Sequence, residues 1–182
     1  PRWFWVATFY FLIPYNMLIY VINDIFDYES DMKNPRKGGV EGAVLDKQLH
    51  VFMASATLLI NVPFVIYLLL QVYGFARILL LLIVVDAIAY SAKPLRLKER
   101  PVADSISSSF HFVSPLVFAL VSLQWQSSYW PYVLAFFFWG MASHAFGAVQ
   151  DIVPDRAARL SSIATRFGAA VTVRAAIVLY VF

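Results

Sequence analysis

The chain has 182 residues, 61% of them hydrophobic and only 14% charged, where soluble domains carry roughly 45–50% and 25%. With a mean hydropathy of +0.71, its polar side chains are too few to cover the surface of a water-soluble globule. The absence of cysteine excludes disulfides and Cys-ligated zinc, and a net charge of +3, confined to a few loops, gives no surface for nucleic acid. A spanning helix needs about 20 mostly apolar residues, and such runs follow one another along the chain. The first covers 3–22 and is closed by an acidic cluster that starts at Asn23. The next two cover about 50–71 and 75–92. A fourth, 106–123, opens on Ser107, Ser108, Ser109 and His111, the fifth covers 130–149, and a sixth starts near Phe167. The expected fold is an all-α polytopic transmembrane bundle, one membrane-embedded domain over 1–182, read as incomplete at both ends because the runs begin and stop inside the apolar pattern.

The connections alternate in length. Segments 24–49, 93–105 and 150–166 are long and polar, whereas 72–74 and 124–129 are short, so every long loop is expected on one face of the membrane. Eleven of the 14 lysines and arginines lie in the long loops, two (Arg2 and Arg77) belong to the other face, and Arg174 lies inside the last run. By the positive-inside rule the long-loop face is cytoplasmic in a cell membrane. Trp125, Tyr129 and Trp130 mark the opposite interface.

Acidic residues gather on the same face as the basic ones. In NDIFDYESD, a continuing helix would place Asn23, Asp27 and Asp31 at i, i+4 and i+8, on one side. At the end of the fifth run, QDIVPDRAAR sets Asp151 and Asp155 four apart. Hard oxygen ligands at the mouth of an apolar bundle suit magnesium, which bridges to substrate phosphates. Lys33, Arg36, Lys93, Arg96, Lys98 and Arg156 lie close by in sequence as partners for diphosphate charge. Solvated helix ends would also produce a single DxxxD; two such pairs with cations behind each point to a site.

Here the chain resembles the UbiA-type intramembrane prenyltransferases. NDIFDYESD resembles their first aspartate-rich motif, N(D/Q)xxDxxxD, and QDIVPDRAARLSSIATRFG their second, with Thr165 to Gly168 as a shortened Thr-to-Gly ending. Between them, YSAKPLRLKERPVAD resembles the family's YSxxPxRLK-type segment and contains Tyr90, Ser91, Lys93, Arg96 and Lys98. Pro154 and Arg159 stand where glycine is frequent in the family. The resemblance implies a nine-helix fold and Mg2+ held by Asn23, Asp27 and Asp31 and by Asp151 and Asp155. It implies an allylic diphosphate as donor, with Asp27, Asp151, Lys93 and Tyr90 at the reacting centre. DMKNPRKGGVEGAVLD and DIVPDRAARLSSIAT are similar to the lycopene elongases of bacterial fifty-carbon carotenoid synthesis. That similarity implies dimethylallyl diphosphate as donor and lycopene as the hydrophobic acceptor. An aromatic quinone precursor or another lipid is the alternative acceptor. A transporter is the non-enzymatic alternative, but it would place its carboxylates near the midplane. A CDP-alcohol phosphotransferase is excluded because its DG-x-x-AR start does not occur.

Within the runs, Asp86 is an ionisable group in hydrocarbon and therefore a functional suspect, sharing a helical face with Tyr90. Asn16, Asn61, Ser55 and Thr57 read as interhelical hydrogen-bonding groups, and His111 and His144 as hydrogen-bonded bundle residues. Pro14, Pro63 and Pro115 are expected kink positions. The run Phe136 to Trp139 reads first as a lipid face, with cation–π contact to a carbocation as the second reading.

Overall fold

A computed structural model describes residues 1–34, 37–39 and 42–181. These are helical, with no strand among the described residues beyond a single bridge between Gly39 and Gly42. Two compact units divide the chain, Pro1–Ala92 and Lys93–Phe182.

In the first unit, α1 (Arg2–Leu12) and α2 (Pro14–Asp31) form one 30-residue apolar rod interrupted at Ile13. Pro14 causes the break: its ring nitrogen has no hydrogen to donate, so the helix ladder loses a rung. Two amides mend it. The Asn16 side chain donates to the carbonyls of Phe11 (2.8 Å) and Leu12 (3.1 Å). From α3 (His50–Gln71), Asn61 donates to the Pro14 carbonyl at 2.9 Å and to its own helix at Thr57. Asn61 is thus the interhelical group expected, whereas Asn16 serves its own chain. The rod does not end with its apolar run at Ile22 but continues as helix through the acidic cluster to Asp31. Tyr10, Tyr15 and Leu18 are buried where α1, α2 and α3 meet, and α4 (Phe75–Ser91) packs on α2.

In the second unit, α5 (Ala103–Leu123) and α6 (Trp130–Gln150) run side by side and bury Ser105, Ser107, Ser109, Ala142 and Ala145. Small residues let helix backbones approach closely. At Gly140 an added Cβ would stand 2.5 Å from the Ser109 hydroxyl oxygen and 3.2 Å from the Ser109 Cα. Ser109 in turn donates its hydroxyl to the Phe137 carbonyl. Short helices α7 (Ile152–Ala158) and α8 (Ile163–Phe167) then lead into α9 (Ala169–Val181), which packs on α6 through Ala176 and a Ser143–Tyr180 hydrogen bond.

Among the described residues, four segments are long and apolar enough to cross a membrane: Arg2–Asp31, Lys47–Gln71, Ala103–Leu123 and Ser127–Gln150. The third and sixth runs fall short of that length, since α4 has 17 residues and α9 has 13. Large apolar side chains face outward on these segments, Trp5, Leu59 and Tyr132 each more than 70% exposed. A buried helical face beside an apolar outer face is the pattern of a helix solvated by lipid. Trp139 is exposed with its neighbours Phe136, Phe137 and Phe138 half-buried, in keeping with the lipid-facing reading.

Candidate active site

The continuity of α2 decides the arrangement of the first motif. Asn23, Asp27 and Asp31 recur along one side of it, as the spacing predicts, and Asp24, seven residues before Asp31, joins them. Asp27 is buried. Asn23 donates its amide N–H to the Ser91 hydroxyl of α4 at 3.3 Å, which leaves the amide oxygen as the acceptor. Ser91 belongs to the segment read between the two motifs, so two of the quoted motifs meet within this unit. Glu29 is on the other side, exposed and 3.9 Å from Lys47, and Lys47 also lies over the Tyr28 ring.

Four carboxylates on the last two turns of α2 face an unfavourable field, because the C-terminal end of a helix carries partial negative charge and α2 has no basic residue in its last turn. Cations must offset them. Lys37 serves two of the four, its Nζ lying 3.7 Å from Asp24 and 3.1 Å from Asp31. Sequence reasoning left Lys37 out of the site and named Lys33, which is exposed on the turn after α2, and Arg36, which lies outside the described residues. The signal was present in the nearby glycines: Gly38 and Gly42 both take positive φ (83° and 84°), and Gly38 N–H bonds the Gly42 carbonyl, turning the chain back just beyond Lys37.

The donor set suits a hard divalent cation. Asp24 and Asp31 already share one positive charge, and Asn23 adds a neutral oxygen. Among the described residues no three His, Asp or Glu converge closely enough to enclose a metal by themselves. Magnesium does not require that, because it is commonly held by one or two carboxylates with phosphate oxygens and water completing the shell.

The second motif is built at a helix junction. α6 ends at Gln150, Asp151 stands between the helices with φ −95° and ψ 0°, and its side chain does not cap α7. The Asp155 N–H bonds the Asp151 carbonyl at 2.8 Å, so the two aspartates keep helical spacing across the junction. Pro154 occupies the first turn of α7, where its missing N–H has no helical partner to lose. Asp155 Oδ2 accepts a hydrogen bond from Ser162 at 3.2 Å, and Ser162 caps α8 in a reciprocal box with Thr165. Arg156 is exposed on α7.

Arg159 ends α7 in the left-handed region at φ 58°. A side chain there costs about 1–2 kcal/mol relative to glycine, so Arg159→Gly should raise the thermal midpoint of the purified protein by stabilising this turn about 1 kcal/mol, with activity retained. An unchanged or lower midpoint would show that the arginine side chain offsets the strain.

In the basic segment, Arg96 also takes positive φ (43°) and pairs with Glu99 in the short helical turn Leu97–Glu99, with Lys98 half-buried beside it. Lys93, exposed, opens the second unit, whereas Tyr90 and Asp86 lie one turn apart and half-buried on α4. A second residue that sequence reading missed is Asp104. It is fully buried at the start of α5, accepts the backbone N–H of Ser105 and of Ile163 at 2.7 Å each, and lies 3.8 Å from His144. Just before it, Val102 holds φ 74° and ψ −46°, a conformation that costs a β-branched residue about 1–3 kcal/mol and persists only where surrounding contacts impose it.

The model of the UbiA prenyltransferase family matches residues 1–182. The chain belongs to this family. It is a multi-pass membrane member, given its four crossing-length helices. It is 48% identical to a lycopene elongase/hydratase of Corynebacterium glutamicum over 97% of this chain and 62% of that protein. It is 47% identical to a C(50) beta-cyclic carotenoids biosynthesis protein of Dietzia sp., over 97% of this chain and 41% of that one. A lycopene elongase/hydratase of Haloferax volcanii is 32% identical over 90% of this chain and 53% of its own length. The chain thus spans less than two thirds of the length of these relatives. No solved structure matches it.

Proposed function

We propose that this UbiA family member transfers a dimethylallyl group from its diphosphate to lycopene in carotenoid biosynthesis, with magnesium as cofactor and with the long loops on the cytoplasmic side of the cell membrane. The observation that carries the reading is the acidic side of α2, where Asn23, Asp24, Asp27 and Asp31 recur and two carboxylates share one cation. The names of relatives at 47–48% identity support the choice of acceptor.

In this reading Asn23, Asp27 and Asp31 hold one magnesium ion, and Asp151 and Asp155 hold another. Magnesium held by these residues would supply Lewis-acid withdrawal of charge from the diphosphate, which would make it a better leaving group. Lys33, Arg36, Lys93, Arg96, Lys98 and Arg156 supply further positive charge for the diphosphate oxygens. Lys37 serves the substrate-free enzyme: it neutralises Asp24 and Asp31 until substrate arrives with its own counterions. Tyr90 is placed at the reacting centre with Lys93, Asp27 and Asp151. The apolar helices keep water from the allylic cation while the acceptor double bond attacks it and diphosphate leaves, and the cation formed on the acceptor is discharged by loss of a proton or uptake of water.

Product analysis after expression of the full-length protein in lycopene-producing cells tests the acceptor. Carotenoids longer than lycopene should accumulate, and hydroxybenzoate offered to the purified enzyme should be prenylated poorly. Efficient prenylation of hydroxybenzoate with lycopene unchanged would leave the family assignment standing and remove the elongase reading.

A further inference from the structure

We propose that Asp104 is a positioning residue that ties the basic segment 93–103 to the second acidic motif and sets the carboxylate of Asp155. The inference rests on the reading of Asp155 as a magnesium ligand. Asp104 is fully buried, and both its carboxylate oxygens are engaged. Oδ1 accepts from the Ser105 N–H at 2.7 Å and from the Ser105 hydroxyl at 3.3 Å. Oδ2 accepts from the Ile163 N–H at 2.7 Å. Its own backbone N–H donates to the Arg100 carbonyl at 2.9 Å. One residue therefore grips the end of the basic segment with its backbone and the start of α8 with its side chain.

The second grip leads straight to the acidic motif. Ser162, the neighbour of Ile163, donates its hydroxyl to Asp155 Oδ2 and is itself fixed by the capping box with Thr165. Asp104, Ile163, Ser162 and Asp155 thus form one series of short, mostly buried links. A carboxylate accepting backbone N–H groups in apolar surroundings makes strong, directional bonds, so the segment 162–163 has little freedom to move. His144 of α6, with Nε2 3.8 Å from Asp104 Oδ2, adds a third element beside the same anchor. The unfavourable backbone at Val102 agrees with a residue held in place by the anchored start of α5.

Partners that orient a metal ligand typically change metal affinity about 10- to 100-fold when removed. The test is a titration of the full-length protein in lipid nanodiscs with Mn2+ replacing Mg2+, in the presence of inorganic diphosphate, following free Mn2+ by electron paramagnetic resonance. Asp104→Asn preserves size but turns an NH2 group toward the Ile163 N–H or the Ser105 N–H. Its Mn2+ affinity should fall about 10-fold. Ser162→Ala should weaken binding in the same direction, and Ser162→Thr should keep the wild-type affinity. Because the two residues act in series, the double variant should bind no more weakly than the weaker single variant. Wild-type affinity in a folded Asp104→Asn protein, or losses that multiply in the double variant, would overturn the inference. If Asp104→Asn does not accumulate, Ser162→Ala decides alone, and wild-type affinity there overturns it. Failure of the wild-type protein itself to bind Mn2+ would instead remove the metal reading of Asp155, which is a separate result.

Discussion

Asp27→Asn and Asp151→Asn should each lower the rate of prenyl transfer by about 10²–10³, equivalent to roughly 3–4 kcal/mol of transition-state stabilisation. Each substitution retains the size of the side chain and removes one negative charge. A metal ligand lost in this way matters most when the leaving diphosphate acquires its full charge, so the rate should fall more than substrate binding does. Glu29→Gln is the matched control. It also removes a charge from the end of α2, but Glu29 is exposed on the other side of the helix and paired only at 3.9 Å with Lys47, so its activity should stay within a few-fold of wild type, as a solvated pair contributes about 0–1 kcal/mol. Steady-state assays with membrane levels matched by immunoblot measure all three. Near-normal activity in both aspartate variants would mean that these carboxylates are no more than solvated helix ends.

Gly140→Ala should destabilise the protein by about 1–3 kcal/mol, the usual cost of forcing extra volume into a well-packed contact. The new methyl group would meet the Ser109 hydroxyl at 2.5 Å and the Ser109 backbone at 3.2 Å. Rotating Ser109 away does not solve the problem, because the hydroxyl then leaves the Phe137 carbonyl and the backbone contact remains. Gly147→Ala on the same helix meets nothing within 4 Å and should be neutral or stabilising by up to about 1 kcal/mol through helix propensity. Heating purified protein in detergent and measuring the folded fraction separates the two. Equal midpoints for both variants would show that α5 and α6 can part at little cost.

Much of the helix pattern was legible because apolar runs in a membrane protein have hard edges. Residues 50–71 match α3 end to end, and the fifth run differs from α6 by one residue. The acidic stripe was legible too, since a spacing of four needs only the helix to continue. Where the first helix ends was not. Hydropathy marks where the membrane stops, and α2 runs nine residues past Ile22, the end of its continuous apolar run, to Asp31. The hydrogen bond to the Pro14 carbonyl comes from Asn61, 47 residues away, and no local pattern carries that pairing. Asp104 escaped for a similar reason. In KERPVAD it reads as one more charge in a polar loop, and its role as a buried acceptor depends on the Ile163 N–H, 59 residues away. Lys37 was one of several similar cations in a loop, and the chain reversal at Gly38 and Gly42 selects it.

The joint between α1 and α2 has a mechanical consequence for the far end of the rod. From Pro14 to Asp31 the helix is an uninterrupted arm of 18 residues, about 27 Å long at 1.5 Å per residue. One degree of tilt about the joint therefore moves Asp31 by roughly 0.5 Å, as much displacement as a preorganised ligand set tolerates. A proline break left to itself bends through far more than a degree. The base of the arm is steadied by the Asn61 amide of α3, which holds the Pro14 carbonyl at 2.9 Å, and its acidic end by the Asn23–Ser91 hydrogen bond to α4. Asn61, a residue with no chemistry of its own, acting about 25 Å from Asp31 by this arithmetic, thus helps to set where the tip of the arm lies.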